Sequence, residues 1–370
     1  MVQLNRQVDN RAPFSGSYHP GDVEILLRPA AITPTPIAEK EALIQSGKRH
    51  YSEMLSLEKV PDKRYMALYS QALMRNAGRL KADIAELAWM IMSRPQTSHK
   101  CVLVSLARAG TPIGVLLGRQ LNRNGVETKH YSVSIIRGRG IDVNAMRHIL
   151  TRHDAAQIIF VDGWTGKGAI TAQLVASLTQ TKLGIQPFLV VVADPAGCAH
   201  LAATTDDYVI PSGLLNGVVS GLISRSVLND ELVGERDFHA CLFMEEHAAS
   251  DLSDAFLSVI ESAAEPAANR VGIWTKQSAA NSRRECHRLL NEIMTADDVD
   301  DVNRIKPGIA EATRAILRRL PDKVYLTDFG DPEVAHMIYL AEQASVPLEQ
   351  RDLGNYRALT IIKKIGGEQE

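Results

Sequence analysis

Between residues 100 and 200 short runs of apolar positions alternate with stretches whose apolar residues recur every three or four places. The runs at 101–106, 157–162 and 188–193 predict buried strands, and 128–136 alternates as a strand should. Residues 111–121, 144–150 and 169–178 predict the helices between them. Such alternation implies an α/β fold, with a parallel sheet covered on both faces and ligands at the carboxyl ends of its strands. Upstream, 61–92 carries Met66, Leu68, Leu73, Leu80, Ile84, Leu87 and Ile91 at helical spacing and fits two helices. Residues 1–60 are weakly periodic and rich in turn formers such as Pro34 and Pro36. They predict an arm, helical at 37–45, that either wraps the core or covers a site.

After the sheet, 206–213 predicts a last short strand, 214–228 a small-residue segment, 238–243 a strand and 252–260 a closing helix. From about residue 270 the pattern changes: a helix opens at a glycine turn near Gly308, followed by a strand at 324–327, a helix at 334–344 and a strand at 359–362. The expected layout is an arm (1–60), a sheet domain (61–264), a linker (265–270) and a small αβα module (271–370).

The chain's 370 residues, 45% of them hydrophobic, suffice for a sizeable core and two or three domains. A formal net charge of -2 selects no class of partner. No apolar run approaches the ~18–20 residues of a membrane span, and no signal-peptide core opens the chain. Cys101, Cys198, Cys241 and Cys286 lie far apart, without a C-x-x-C pair, so a reduced cytoplasmic setting is expected rather than a disulfide scaffold or zinc ribbon.

The central run ends on Asp162 and passes through Gly163-Trp164-Thr165-Gly166-Lys167-Gly168 into a helix at Ala169. A strand-turn-helix of this kind aligns free backbone N–H groups at the positive end of a helix, a phosphate cradle. It is not a Walker A loop, since Gly168 follows Gly166-Lys167, and not a dinucleotide fingerprint, since Thr171 stands where a third glycine belongs. An ordinary strand-to-helix turn capped by Asp162 is the plainer alternative. The pattern resembles the signature of type I phosphoribosyltransferases for phosphoribosyl pyrophosphate (PRPP). That resemblance implies that Asp162 holds the ribose hydroxyls. It assigns the 5′-phosphate to Thr165, Gly166, Lys167, Gly168 and Ala169. Gly163 stands where that family carries a second acid.

Ala107-Arg108-Ala109-Gly110-Thr111 resembles the same family's pyrophosphate loop, and Arg137 and Arg139 lie in a loop that the resemblance expects to close over the reaction. Ser220, Ser224 and Arg225 are candidates for the acceptor wall. His50 is a candidate proton carrier, or a packed histidine. The resemblance further implies Mg²⁺ bound with PRPP, and an unidentified base or nitrogen acceptor.

In the C-terminal module Gly308, Glu311, Thr313 and Arg314 resemble the RNA-contact turn of the L7Ae/pelota family, with Ala310 in place of that turn's asparagine. Lys306 and Arg318 add cations suited to a phosphate backbone; a solvated basic helix is the plainer alternative. Taken together, most of the chain resembles a bacterial family linked to tellurite-resistance stress operons. Its members join a phosphoribosyltransferase domain to a pelota-like RNA-binding domain, and some are labelled cysteine protease StiP. The implied function is PRPP-dependent transfer coupled to RNA binding, without a membrane partner; homo-oligomerisation is left open. Two alternatives stand beside it: a PRPP- or nucleotide-sensing RNA-binding protein without catalysis, and a cysteine protease with Cys241, two residues from His239, as nucleophile.

Overall fold

Six parallel strands form the central sheet, in the order Glu24–Leu26, Glu127–Ile136, Lys100–Ala107, Ile158–Trp164, Leu189–Ala193 and Leu201–Thr204. Gly140–Ile141 pairs antiparallel with Glu127–Ile136 beside them. This architecture comes from a computed structural model, which describes residues 14–58, 60–264 and 272–364. The expected linker at 265–270 and the first thirteen residues of the arm lie outside the described residues.

The central strands are buried on both faces because their side chains alternate between two cores. Leu103, Ile159, Val161 and Val190 join the core built with helices Lys63–Met92, Gly110–Arg123 and Ser253–Ser262. Val102, Val104, Phe160 and Val191 face the opposite way, toward helices Val143–Leu150 and Ala169–Thr181. Helix Gly110–Arg123 carries Pro112 in its first turn, where a missing N–H costs nothing.

Two helices were expected at 61–92, but a single helix runs from Lys63 to Met92. Its buried stripe (Tyr65, Tyr69, Ala72, Leu80, Ile84, Leu87, Ile91) is unbroken, so the lone Gly78 costs propensity without ending the helix. The last strand of the sheet is Leu201–Thr204, not 206–213, where only a single turn forms at Pro211–Gly213. Asp206 is drawn instead into ion pairs with Arg79 and Arg357. The strand expected at 238–243 shrinks to Ala240–Cys241, paired with Arg28–Pro29 of the arm.

The C-terminal module is a four-stranded mixed sheet, in the order Ile305–Pro307, Ala358–Ile362, Pro321–Leu326 and Leu348–Gln350, with helices Lys276–Ala296, Ile309–Arg318 and Ala335–Gln343. The pattern reading passed over helix Lys276–Ala296. Its surface is strongly polar, yet Ala279, Cys286, Leu289, Leu290 and Ile293 form a narrow buried stripe. That helix docks on Gly197, where a Cβ would lie 1.9 Å from the Ala279 carbonyl oxygen. Only glycine fits so close an approach. No described helix is long and apolar enough to cross a membrane.

Candidate functional site

Asp162 stands near the carboxyl end of the central strand, with Gly163 N–H donating to its Oδ1 at 2.8 Å. Burial pushes its carboxyl up to about 7; the Gly163 N–H and Arg314 oppose that rise, and Glu311 adds to it. The neighbouring turn presses against this strand end because residue 110 is glycine: a Cβ there would lie 2.3 Å from the Val161 carbonyl oxygen and 3.1 Å from Asp162 Cα.

Arg108, in that turn, is 5% exposed. Its Nη1 donates to the Ile223 carbonyl at 2.5 Å, and its Nη2 pairs with Glu58 at the end of the arm. The other Glu58 oxygen accepts from Gly217 N–H at 3.1 Å. Burial works to raise the Glu58 carboxyl, but Arg108 and Arg318 hold it down at about 2. Thr111, expected at the pyrophosphate, bonds to Ser132 Oγ at 2.7 Å.

The side chains of the turn at 165–169 are occupied by the protein itself. Thr165 Oγ1 donates to Asp194 at 2.6 Å. The Gly166 carbonyl accepts from Tyr356 Oη at 2.7 Å, and a Cβ on Gly166 would meet Glu311 Cγ at 2.6 Å. Lys167 Nζ donates to the carbonyls of Val302 and, at 2.8 Å, of Ile305. Burial, helped by Lys306, draws its ammonium down to about 7. Gly168, with φ at +83°, leads into helix Ala169–Thr181.

The arm covers this edge of the sheet. Arg137 N–H donates to Tyr51 Oη at 2.8 Å and its guanidinium to Asn303 at 3.0 Å, while Arg139 pairs with Glu53. The expected closing loop is thus a tight reversal pinned by the arm and the C-terminal module. Beside it His50 bonds to Ser52 Oγ at 2.8 Å, a local packing role. The acceptor-wall residues also turn to backbone. Ser220 donates to the Asn216 carbonyl, Ser224 to that of Arg225, and Arg225 to those of Tyr51 and Met54.

The turn expected to meet RNA faces the chain's own sheet. Both carboxylate oxygens of Asp207 accept from Ile309 N–H at 3.1 Å, filling the N-terminus of helix Ile309–Arg318. Burial raises that carboxyl to about 7. Gly308 holds φ at +87° in the turn. Thr313, fully buried, donates to Ile309 O at 2.7 Å and contacts His336. Glu311 lies against Gly166, and the Arg314 guanidinium stacks over Trp164 at 4.5 Å. Lys306 is buried and drawn down to about 8 by that burial.

The two candidate sites therefore meet. Arg314 and Arg318 come together with Arg108, and Arg225, Asp162 and Glu58 stand close enough to act on their charge. Burial and mutual repulsion lower Arg314 and Arg225 to about 10 and hold Arg318 well below the ordinary guanidinium range. Nε of Arg108 and Arg314, and Nε and Nη2 of Arg318, are buried without a hydrogen-bond partner. Sequence reasoning missed Glu58, Asp194 and Asp207. Each lies outside any motif, and its role exists only in three dimensions.

The cysteines form no dyad: among the described residues no sulfur is hydrogen-bonded to a histidine ring. Cys241, the expected alternative nucleophile, is fully buried, and burial pushes its thiol up to about 12. His239 beside it in sequence bonds Ser134 Oγ at 2.8 Å instead. Cys198 is the one cysteine not fully buried; its Sγ lies against Gly168, and burial followed by Asp194 raises it to about 11. No group of three His, Cys, Asp or Glu suited to a metal ion occurs among the described residues.

Comparison with known proteins gives two family matches. The description "Tellurite-like stress resistance cysteine protease StiP" matches residues 16–261, and "PELOTA RNA binding domain" matches residues 284–364. The protein "Cysteine protease StiP" of Acinetobacter baylyi (strain ATCC 33305 / BD413 / ADP1) is 42% identical over 370 residues, covering 95% of each chain. Among solved structures, the hypoxanthine phosphoribosyltransferase of Trypanosoma cruzi is 16% identical with a TM-score of 0.27, covering 46% of this chain and 94% of its own. Its complex with the product IMP is 15% identical with a TM-score of 0.26, covering 48% and 92%. Likenesses that distant carry no argument here.

Proposed function

Since this chain belongs to the family described as tellurite-like stress resistance cysteine protease StiP, we propose that it is a stress-response enzyme working at Asp162 and the neighbouring arginines, on a phosphorylated ribose of the PRPP class. The observation that carries the proposal is Asp162. A carboxyl raised by burial to about 7, at a strand's carboxyl end and beside the Arg314 guanidinium, is poised both to bind a sugar and to exchange a proton.

In the proposed reaction the bond from the anomeric carbon to pyrophosphate breaks, and pyrophosphate leaves with the electron pair. A nitrogen acceptor then bonds to that carbon and gives up its proton to the Asp162 carboxylate. Asp162 accepts hydrogen bonds from the ribose hydroxyls and faces the positive charge that develops on the ring. Arg108 takes the departing pyrophosphate. The 5′-phosphate falls to backbone N–H groups of 166–169, because the Thr165 N–H donates to the Ala193 carbonyl and the Thr165 and Lys167 side chains are engaged elsewhere. Mg²⁺ would arrive with the pyrophosphate group, and Asp162 and Glu311 are oxygen donors suited to a hard cation. RNA is the proposed partner of the C-terminal module; contact through Gly308, Glu311, Thr313 and Arg314 would require that module to lift from the sheet.

Exchange of labelled pyrophosphate into PRPP tests this reading. Wild type should exchange label, and Asp162→Asn should not. PRPP binding without exchange would make the protein a sensor, and no binding at all would end the proposal.

Cysteine proteolysis is the second reading, favoured by the family description and by Cys198, whose sulfur lies at the N-terminal end of helix Ala169–Thr181. An electrophilic thiol probe that labels Cys198 alone, with stress protection lost in Cys198→Ser, would move the assignment there.

A further inference from the structure

We propose that Arg108, Arg225, Arg314 and Arg318 form a binding site for a compact multivalent phosphate anion, a diphosphate or triphosphate group. In this proposal Glu58 of the arm occupies the place of one phosphoryl group until the anion displaces it. The inference deepens the function proposed above and shares its location, but it requires anion binding and no catalysis.

The four guanidinium groups come from three separate parts of the chain. Arg314 and Arg318, one helical turn apart, project from the same face of helix Ile309–Arg318. Among the described carboxylates, Glu58 alone accepts a hydrogen bond from any of the four. Arg225 is spent on the carbonyls of Tyr51 and Met54, which hold down the very arm that carries Glu58. Four buried nitrogens on Arg108, Arg314 and Arg318 have no partner. Guanidinium nitrogens buried without a partner are a standing cost to the fold that Glu58 offsets only in part, and a multivalent anion would offset more of it.

Glu58 already shows how such an anion would sit. Its two oxygens take one arginine and one backbone N–H, the set that a phosphoryl group accepts. The N–H belongs to Gly217, where a Cβ would lie 1.8 Å from Met244 Cε and 3.2 Å from Arg108 Nη1. Glu58 itself takes up the Arg108 guanidinium and the Gly217 N–H, so an anion reaches these two donors only as the arm's acid leaves.

Calorimetric titration of the full chain with sodium tripolyphosphate, pyrophosphate and orthophosphate tests the site. Affinity should fall in that order. Glu58→Gln should tighten tripolyphosphate binding about tenfold, and Arg318→Met should weaken it by about the same factor. Circular dichroism checks each fold, and Arg314→Gln is the second probe should Arg318→Met fail to fold. Equal affinity of Glu58→Gln and wild type overturns the proposal. So does indifference to both arginine substitutions, or no heat at millimolar anion. A preference for an RNA hairpin over tripolyphosphate, with the same arginine dependence, would assign the cations to a nucleic acid and overturn it too. Tripolyphosphate binding without pyrophosphate exchange would sink the transferase reading and leave this site standing.

Discussion

At the end of strand Ile158–Trp164 the turn is closed by protein partners: Thr165 by Asp194, Gly166 by Tyr356, Lys167 by two carbonyls. One strand away, around Arg108, guanidinium nitrogens lie buried with nothing to bond. Both regions follow a strand and precede a helix, and both have the composition of an anion cradle. The difference lies in which acids the rest of the chain brings near. Asp194 and Glu311 reach the first turn, whereas the second receives Glu58 and two further arginines. A glycine turn thus announces that an anion could be held; the groups that the rest of the chain brings near decide which of its donors are left to hold one.

Removing the acid that closes the first turn should have the largest effect. Asp194 accepts from Thr165 Oγ1, Trp274 Nε1 and the N–H groups of Cys198 and Ala199. Asp194→Ala should cost about 3–5 kcal/mol in urea denaturation, since it leaves several buried donors unpaired. A loss below about 1 kcal/mol would mean that this turn is not held as described.

Next comes the pH dependence that Asp162 imposes. Its folded pKa of about 7 lies above the ordinary carboxyl value, so between about pH 4 and 7 the folded chain binds the extra proton. Stability from this group is therefore full in acid and falls as pH rises through that window. Asp162→Asn should gain on the order of 2 kcal/mol relative to wild type between pH 5 and pH 8, followed by thermal melts. Asp207, also held near 7, contributes a slope of the same sign that persists in the variant.

Smaller still, Arg318→Met should stabilise the anion-free chain by about 1 kcal/mol, because two buried guanidinium nitrogens without hydrogen-bond partners are replaced by an apolar side chain of similar length. Added tripolyphosphate should reverse the ranking of the two melting temperatures. Cys198→Ser should shift stability by less than about 1 kcal/mol and leave pyrophosphate exchange intact. Loss of all activity in that variant would put the chemistry on the thiol instead.

The strands and helices of the parallel sheet were legible because their apolar periods are local. Strand Lys100–Ala107 and helix Gly110–Arg123 lie within a residue or two of where the pattern puts them. The edge strand Leu201–Thr204 escaped notice because it is short and rich in alanine. Helix Lys276–Ala296 escaped because charged residues mask its buried stripe. Asp162 and Arg108 stood out through the turns that carry them. Glu58 had no such frame, and its distance along the chain from Arg108 hid the pair.

By itself, then, the sequence determined the alternating α/β core, the two glycine turns and the acid at the head of one of them. All three follow from periodicity and backbone chemistry that act over a few residues. Tertiary structure alone decided that the arm's acid meets Arg108, that Asp207 fills the N-terminus of helix Ile309–Arg318, and that this helix turns its arginines inward. Charge and burial sum over every segment that arrives at a point in space, and no local pattern of residues carries that sum.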